Sequence, residues 1–329
     1  MSGCTATGKP LIAILMAVYE PQLDWLREQL ESLEKQTYPN LKLYVRDDCS
    51  KTVPFTEIEQ CIRECIQSFP YEIQRNEENL GSNRTFERLT EEAEGEHFAY
   101  CDQDDIWLPE KLEVLQEKLE RTGALLVCSD MYIIDGQGKQ IADSITQVRR
   151  RHVFREGTKL MEHLLVRNFI VGCTMLACAE TAKSAVPFEP GYVHDQWIGI
   201  VAASKGRILS IKKPLISYRQ HGNNQTGILS GINSKEDYLR IRIKEQISNV
   251  QSAISRLDVT EDERIRTIAL KRVLDARERY FLKPNVRDLK IFLSNRVFSR
   301  EALCFEVILP FLPSRLYQKI IAAVKRETF

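Results

Sequence analysis

Apolar and polar positions along the first 120 residues switch between two periods. "LIAILMAVY" at 11–19 is apolar without a break, as expected for a strand covered on both faces. Leu23, Leu26, Leu30 and Leu33 then recur at helical spacing. The same alternation continues. "LKLYVRDD" at 41–48 predicts a strand ending in acids, and Phe55, Ile58, Ile62 and Ile66 predict a helix. "YEIQR" at 71–75 predicts a short strand, Asn79-Leu80-Gly81 a turn, and Phe86, Leu89 and Ala93 a third helix. "HFAYCD" at 97–102 predicts the next strand. Pro109 would open a helix in the first-turn position, with Leu112, Leu115 and Leu119 as its apolar face.

Strands alternating with helices predict an α/β fold, Rossmann-like, with a mainly parallel sheet and flanking helices. In such sheets ligands gather beyond the carboxyl ends of the strands. Asp47-Asp48 and Asp102-Asp104-Asp105 stand at two such ends, which points both acid groups toward one crevice.

Beyond residue 120 the pattern loosens. "ALLVCSDMYIID" with "GQGK", "TMLAC" at 174–178, "RILSI" and "PLISYRQHGNN" predict further strands and turns, and "HDQWIGIVAASKG" at 194–206 a helix. Residues 148–157, "VRRRHVFREG", form a basic loop. From about 234 the chain turns charged and helical. The expected division is therefore a sheet domain over 1–230 and a helical C-terminal region over 231–329. The tail at 305–326 mixes Ile308, Leu309, Phe311, Leu312, Leu316, Ile320, Ile321 and Val324 with Arg315, Lys319, Lys325 and Arg326. That pattern suits an amphipathic helix lying on an anionic membrane surface, or one docked on protein.

Composition narrows the classes. The chain has 329 residues, enough for one large α/β domain and an appendage. With 43% hydrophobic and 28% charged residues it is globular in composition. Lys plus Arg equals Asp plus Glu at 46 each, so no overall basic excess points to nucleic acid. The nine cysteines include no CxxC pair; Cys61 and Cys65 have helical spacing among apolar neighbours, which reads as core packing. Residues 1–10 are polar and no apolar run approaches the ~20 residues of a membrane span. A cytoplasmic protein is expected, held at the inner face of the membrane if the tail binds lipid.

The sharpest chemical signal is "YCDQDDIW" at 100–107. Asp102 and Asp104 are two apart and would project to one side of an extended chain. Neighbouring carboxylates repel, and a divalent cation with a preference for oxygen, Mg²⁺ or Mn²⁺, would relieve that. A solvated acidic turn before the next helix, with Asp105 as its helix-start acid, explains the same residues. Neither GxxxxGK[ST] nor GxGxxG follows the first strand.

Six segments in order, "ILMAVYE", "QLESLEKQTYPNLKLYVRDDCS", "NLGSNRTFERLTEEAEG", "YCDQDDIWLPEKLE", "HDQW" and "YRQHGNN", resemble family 2 glycosyltransferases of the GT-A fold over roughly 11–225. "DQDDIW" and "YRQHGNN" are most similar to the bacterial rhamnosyltransferase branch, which builds surface polysaccharides. The resemblance implies an inverting, metal-dependent transfer of a sugar from a nucleotide diphosphate donor, dTDP-rhamnose or a UDP-sugar, to a hydroxyl of a lipid-linked glycan. By position, Tyr19 and Asp48 would line the base pocket, with Asn83 near the nucleotide. Asp102 would face ribose or metal, Asp104 would ligate the metal, and His221 would face the diphosphate or complete the metal shell. Asp195 would be the general base; a helix cap is its alternative role. Cys49 stands where the family commonly has Gly, and Glu20 where it commonly has Asn. Two other classes fit parts of the pattern: a sugar-nucleotide nucleotidyltransferase, which lacks its Gly-rich phosphate loop here, and a non-catalytic nucleotide-sugar-binding protein.

Overall fold

Residues 8–149, 152–221, 231–294, 298 and 300–326 are described by the computed structural model, without the side chains of 300–302 and 323–326. Two compact units result. The first comprises Met1–Leu160, Phe169–Phe188 and Val193–His221; the second comprises Met161–Asn168, Glu189–Tyr192 and Gly222–Phe329.

The first unit is built on a sheet whose strands are β1 (Ile12–Val18), β2 (Leu41–Asp47), β3 (Tyr71–Arg75), β4 (His97–Cys101), β5 (Ile106–Trp107), β6 (Leu126–Ile134), β7 (Gln140–Ala142), β8 (Met175–Cys178) and β9 (Ile208–Arg219). Their order is β3-β2-β1-β4-β8-β6-β9-β5, with β7 on β6. The unbroken apolar runs become the central strands because both sheet faces are covered: β1 is buried along nearly its whole length. Helices α1 (Leu23–Glu34), α2 (Phe55–Cys65), α3 (Ser82–Glu92) and α4 (Lys111–Thr122) connect or flank the strands. Their apolar faces, among them Leu26, Leu30, Leu33, Ile58, Ile62, Leu112 and Leu115, are fully buried. Each such side chain contributes ~1.5–3 kcal/mol. Cys61 and Cys65 are buried in the same core, as their spacing predicts. Burial pushes the Cys61 thiol up to about 12. Gly123, in a left-handed conformation, stops α4.

The alternating half forms the parallel quartet β3-β2-β1-β4. The looser half makes the sheet mixed. β8 runs antiparallel to both β4 and β6, β9 is parallel to β6, and β5 is antiparallel to β9. "RILSI" and "PLISYR" join as one strand. Register against β6 slips between Ser129 and Asp130, and Pro214 sits at that slip, where its missing N–H breaks no regular ladder. Pro109 precedes α4 and does not open it, since the helix begins at Lys111. Short helices α5 (Ile145–Val148) and α7 (Ala179–Lys183) and the longer α8 (His194–Lys205) complete this unit.

The second unit is helical: α6 (Met161–Val166), α9 (Lys235–Asp237) running through a π turn into α10 (Glu245–Arg256), then α11 (Glu261–Leu282), α12 (Val286–Leu293), α13 (Arg300–Ile308) and α14 (Ser314–Arg326). Thr260 and Glu263 close a capping box at the start of α11. A buried ion pair, Arg277 with Glu306, ties α11 to α13, and the Tyr238 hydroxyl donates to the same carboxylate. The tail helix buries Tyr317 and Ile321 and leaves Leu316 about half exposed, while Ile308 at the end of α13 and Phe311 in the turn between the two helices are half exposed or more. No helix among the described residues is long and apolar enough to cross a membrane.

Candidate functional site

Three neighbouring parallel strands end together. Val18 pairs with Asp47 and Met16 with Cys101, so the residues following β2, β1 and β4 share one edge of the sheet. Asp48 and Tyr19 follow two of them, and the acid turn 102–105 follows the third.

Asp48 is buried, and its carboxylate accepts from Asn76 Nδ2 and from the main-chain N–H groups of Leu80 and Gly81, each at 2.8 Å. It therefore fixes the turn that starts α3, and Asn83 lies in the first turn of that helix. Asp47 faces the other way and pairs with Arg75 and Ser50, so of the two adjacent acids one is wholly structural. Cys49 adopts φ +61° without a glycine, and Glu20 adopts φ +43°. The left-handed backbone is thus kept at Cys49 despite its Cβ, at the steric cost that makes this region rare for L residues. The Glu20 carboxylate gathers the N–H groups of Lys51, Thr52 and Val53 and the Thr52 hydroxyl, which hold its pKa down at about 2.

The acid turn is tied on several sides. Gln103, between the two candidate metal acids, reads the Tyr19 main chain twice: it accepts from Tyr19 N at 2.8 Å and donates to Tyr19 O at 3.1 Å. Asp105 is fully buried and accepts from Arg219 N at 2.9 Å. Its role is to anchor the turn to the end of β9. Asp104 Oδ2 lies 2.7 Å from His221 Nε2, so the two residues expected on one cation do meet. The rest of "YRQHGNN", residues 222–224, and Arg150 and Arg151 of the basic loop lie outside the described residues.

Four carboxyl groups crowd this region. Burial, Asp104 and then Asp195 raise Asp102 to about 7. Asp105 is raised well above its ordinary range, by burial first and then by Asp104 and Asp102. Asp195 accepts from Gly172 N, and the next residue, Cys173, brings its sulfur within 4.8 Å of carboxylate oxygens of Asp102 and Asp105, so α8 places Asp195 beside the same acid turn. Among the described residues, cations near these acids include the Arg219 guanidinium and Lys111, which is wholly buried and lowered by that burial to about 7. Clustered carboxylates with an imidazole beside them suit a divalent cation with mixed O and N ligation. Asp102, Asp105 and Cys173 also bring ligand atoms within 4.8 Å of one another. Burial holds the Cys173 thiol well above its ordinary range, however, and a protonated thiol is a poor ligand for Mg²⁺ or Mn²⁺.

Asp195 is 9% exposed and lies in the first turn of α8, whose cap position is Val193. It is inside the helix and does not cap it. Its Oδ2 accepts from Gly172 N at 2.9 Å and its Oδ1 from Gln196 N at 2.5 Å. Gly172 opens a short 3-10 turn, Gly172–Thr174, and the carbonyl of Cys173 in that turn takes a 2.6 Å bond from Lys111 Nζ. Lys111 and Gly172 were not singled out in the sequence. A lysine on the apolar face of a helix, one residue before Leu112, was the available signal. His194 is a neighbour in this arrangement: it stacks on Phe86 at 4.2 Å, and burial lowers it to about 3, so it stays neutral. Trp197 is buried and donates to Ala185 O, which makes it core.

Comparison with known proteins agrees with this architecture. The model of the family described as "Glycosyl transferase family 2" matches residues 13–179. An uncharacterized glycosyltransferase of Methanocaldococcus jannaschii, MJ1057, is 26% identical over 246 residues, covering 73% of this chain and 81% of its own. The dTDP-rhamnosyl transferase RfbG of Shigella flexneri is 23% identical over 262 residues, covering 73% and 84%. Among solved structures, S. aureus TarS 1-349 in complex with UDP-GlcNAc superposes with a TM-score of 0.57 at 18% identity, over 86% of this chain and 79% of that one. Against the longer TarS chain the match spans 47% of its length. The fold is the GT-A fold.

Proposed function

The chain belongs to glycosyl transferase family 2 and is a glycosyltransferase, and from that premise we propose that it inverts the anomeric centre as it moves a sugar from a nucleotide diphosphate to a hydroxyl of a bacterial surface-polysaccharide acceptor. The supporting observation is that Asp104 and His221 meet at 2.7 Å in the acid turn that holds Asp102, while Asp195 on α8 bonds Gly172 N next to Cys173, whose sulfur lies within 4.8 Å of Asp102. On this proposal residues 1–230 carry the reaction and 231–329 form an accessory helical region.

Tyr19, Asp48 and Asn83 line the nucleoside side of the cleft; Asp102, Asp104 and His221 hold Mg²⁺ or Mn²⁺. A bound cation would neutralise charge developing on the leaving diphosphate. Asp195 takes the acceptor hydroxyl's proton. The hydroxyl oxygen bonds to the anomeric carbon as the bond from that carbon to the diphosphate oxygen breaks, and its electron pair leaves with the nucleoside diphosphate. Gly172 N–H and Gln196 N–H hold the Asp195 carboxylate in place. The donor class is dTDP-rhamnose or a UDP-sugar: RfbG is a dTDP-rhamnosyl transferase by name, and TarS is seen with UDP and UDP-GlcNAc. A lipid-linked acceptor fits the tail, whose Phe311 and Leu316 are exposed beside Arg315.

A panel of nucleotide sugars with Mn²⁺ or Mg²⁺, scored by binding and slow hydrolysis, tests the reading. Asp195→Asn should abolish transfer while nucleoside diphosphate binding persists. Turnover at the wild-type rate in that variant removes Asp195 from the role of base, and no metal-dependent binding of any donor removes the proposal.

A further inference from the structure

Arg219 is the last residue of β9 and is 1% exposed. Its contacts converge on the acid turn and its surroundings. The main-chain N–H holds Asp105, and Nε donates to the Asp104 carbonyl at 2.8 Å. One terminal nitrogen reaches the carbonyls of Asp135 at 3.4 Å and Gly136 at 3.5 Å, while the other pairs with Glu28 of α1. The guanidinium lies over the Trp25 ring, 5.2 Å from its centroid, and that ring in turn lies 4.9 Å from the ring of His221. Two residues after Arg219, His221 meets the carboxylate of Asp104. One short segment therefore grips Asp104 twice, by its carbonyl through Arg219 and by its side chain through His221.

A planar fork with five donors can hold a carbonyl, a carboxylate and an aromatic face at once, which a lysine cannot. Buried as it is, the fork has few alternative partners, so its geometry is set. Glu28 takes up part of its charge.

We propose that Arg219 is a positioning residue for the divalent cation: through Asp104, Asp105 and Trp25 it fixes Asp104 and His221 at ligating distance before any cation arrives. This rests on the assignment of Asp104 and His221 as ligands. Groups that orient metal ligands typically carry a 10–100-fold share of metal affinity.

The test is Mn²⁺ binding to the full chain without donor, read by electron paramagnetic resonance, together with KM and kcat for the preferred donor. Arg219→Lys should weaken Mn²⁺ about 10-fold or more and raise the Mn²⁺ concentration needed for half-maximal rate. kcat at saturating Mn²⁺ should fall less than the affinity does. Glu28→Gln, on a half-exposed side chain that does not touch the acid turn, should fold normally and weaken Mn²⁺ by a smaller factor in the same direction. If both folded variants bind Mn²⁺ as the wild type does, Arg219 is a structural ion pair and the inference falls. If Arg219→Lys does not fold, Glu28→Gln decides: unchanged affinity overturns the inference and weakened affinity upholds it. If the wild type itself binds no Mn²⁺, the ligand assignment has failed, and the inference falls with it.

Discussion

Replacing Gly172 by alanine should cost activity through a group that the new methyl does not react with. A Cβ on Gly172 would lie 2.6 Å from His194 Nε2, 3.1 Å from its Cε1 and 3.6 Å from Asp195 Cβ. Ordinary contact needs about 3.5 Å, so roughly 0.9 Å must open. The His194 ring cannot simply retreat, because it is stacked on Phe86 at 4.2 Å and lies 5.4 Å from Tyr100. The start of α8 or the 3-10 turn must move instead, and either motion stretches the 2.9 Å bond from Gly172 N to Asp195 Oδ2. Overpacking of this kind costs ~1–3 kcal/mol of stability, which is a Tm lower by a few to about 10 °C for a domain of this size. If Asp195 is the base, as proposed, its displacement by about 1 Å loses on the order of 100-fold in rate. Release of nucleoside diphosphate at saturating donor, with a thermal melt on the same sample, measures both effects. Adding His194→Ala to Gly172→Ala makes room for the methyl and should recover at least ~1 kcal/mol of coupling. Wild-type rate and melting in Gly172→Ala alone would refute the link between this turn and Asp195.

Three further outcomes follow from the geometry. Cys49→Gly relieves the φ +61° strain at the cost of glycine's greater unfolded-state entropy, and should raise Tm by a few degrees, about 1 kcal/mol or less; a lower Tm contradicts that. Asp102 keeps its proton to about 7 in the folded chain against an ordinary 3.8, so the folded state binds more protons between those values and metal-free stability falls as pH rises through that window. A cation needs the ionised form, so the Mn²⁺-induced rise in Tm should be larger at pH 7.5 than at pH 6, and melts at the two values with and without Mn²⁺ check the sign. Arg277→Met leaves Glu306 buried without its partner and should destabilise by ~3–5 kcal/mol in urea, while Arg277→Met with Glu306→Leu should recover most of it; equal loss in both would show that the ion pair is not the cause.

Much of the fold was legible because burial imposes a period on the sequence. A strand covered on both faces is apolar along most of its length, so 11–19, 41–48 and 97–102 announced themselves, and their parallel pairing, with Val18 beside Asp47 and Met16 beside Cys101, fits right-handed connections between parallel strands. The position of the acid turn at a strand's carboxyl end was legible too, but its residues alone fit a solvated helix-start turn as well as a cation site. The direction of β8, the merging of two pieces into β9 around Pro214, and the segments 161–168 and 189–192 that join the helical unit left no such mark. They depend on long-range pairing and not on local pattern.

Within the site the division is the same. Residue types and spacing determined which acids are available: Asp48, Asp102, Asp104, Asp105 and Asp195. Only the tertiary structure decided what each one does, because a carboxylate's role is set by the donors and charges around it. Asp47 is spent on Arg75 and Ser50, Asp105 on Arg219, and Asp104 is left to His221. Periodicity marks Lys111 only as a lysine on an apolar helix face and does not mark Gly172 at all, since a buried ammonium and a missing Cβ acquire their roles only once distant segments have come within hydrogen-bond reach.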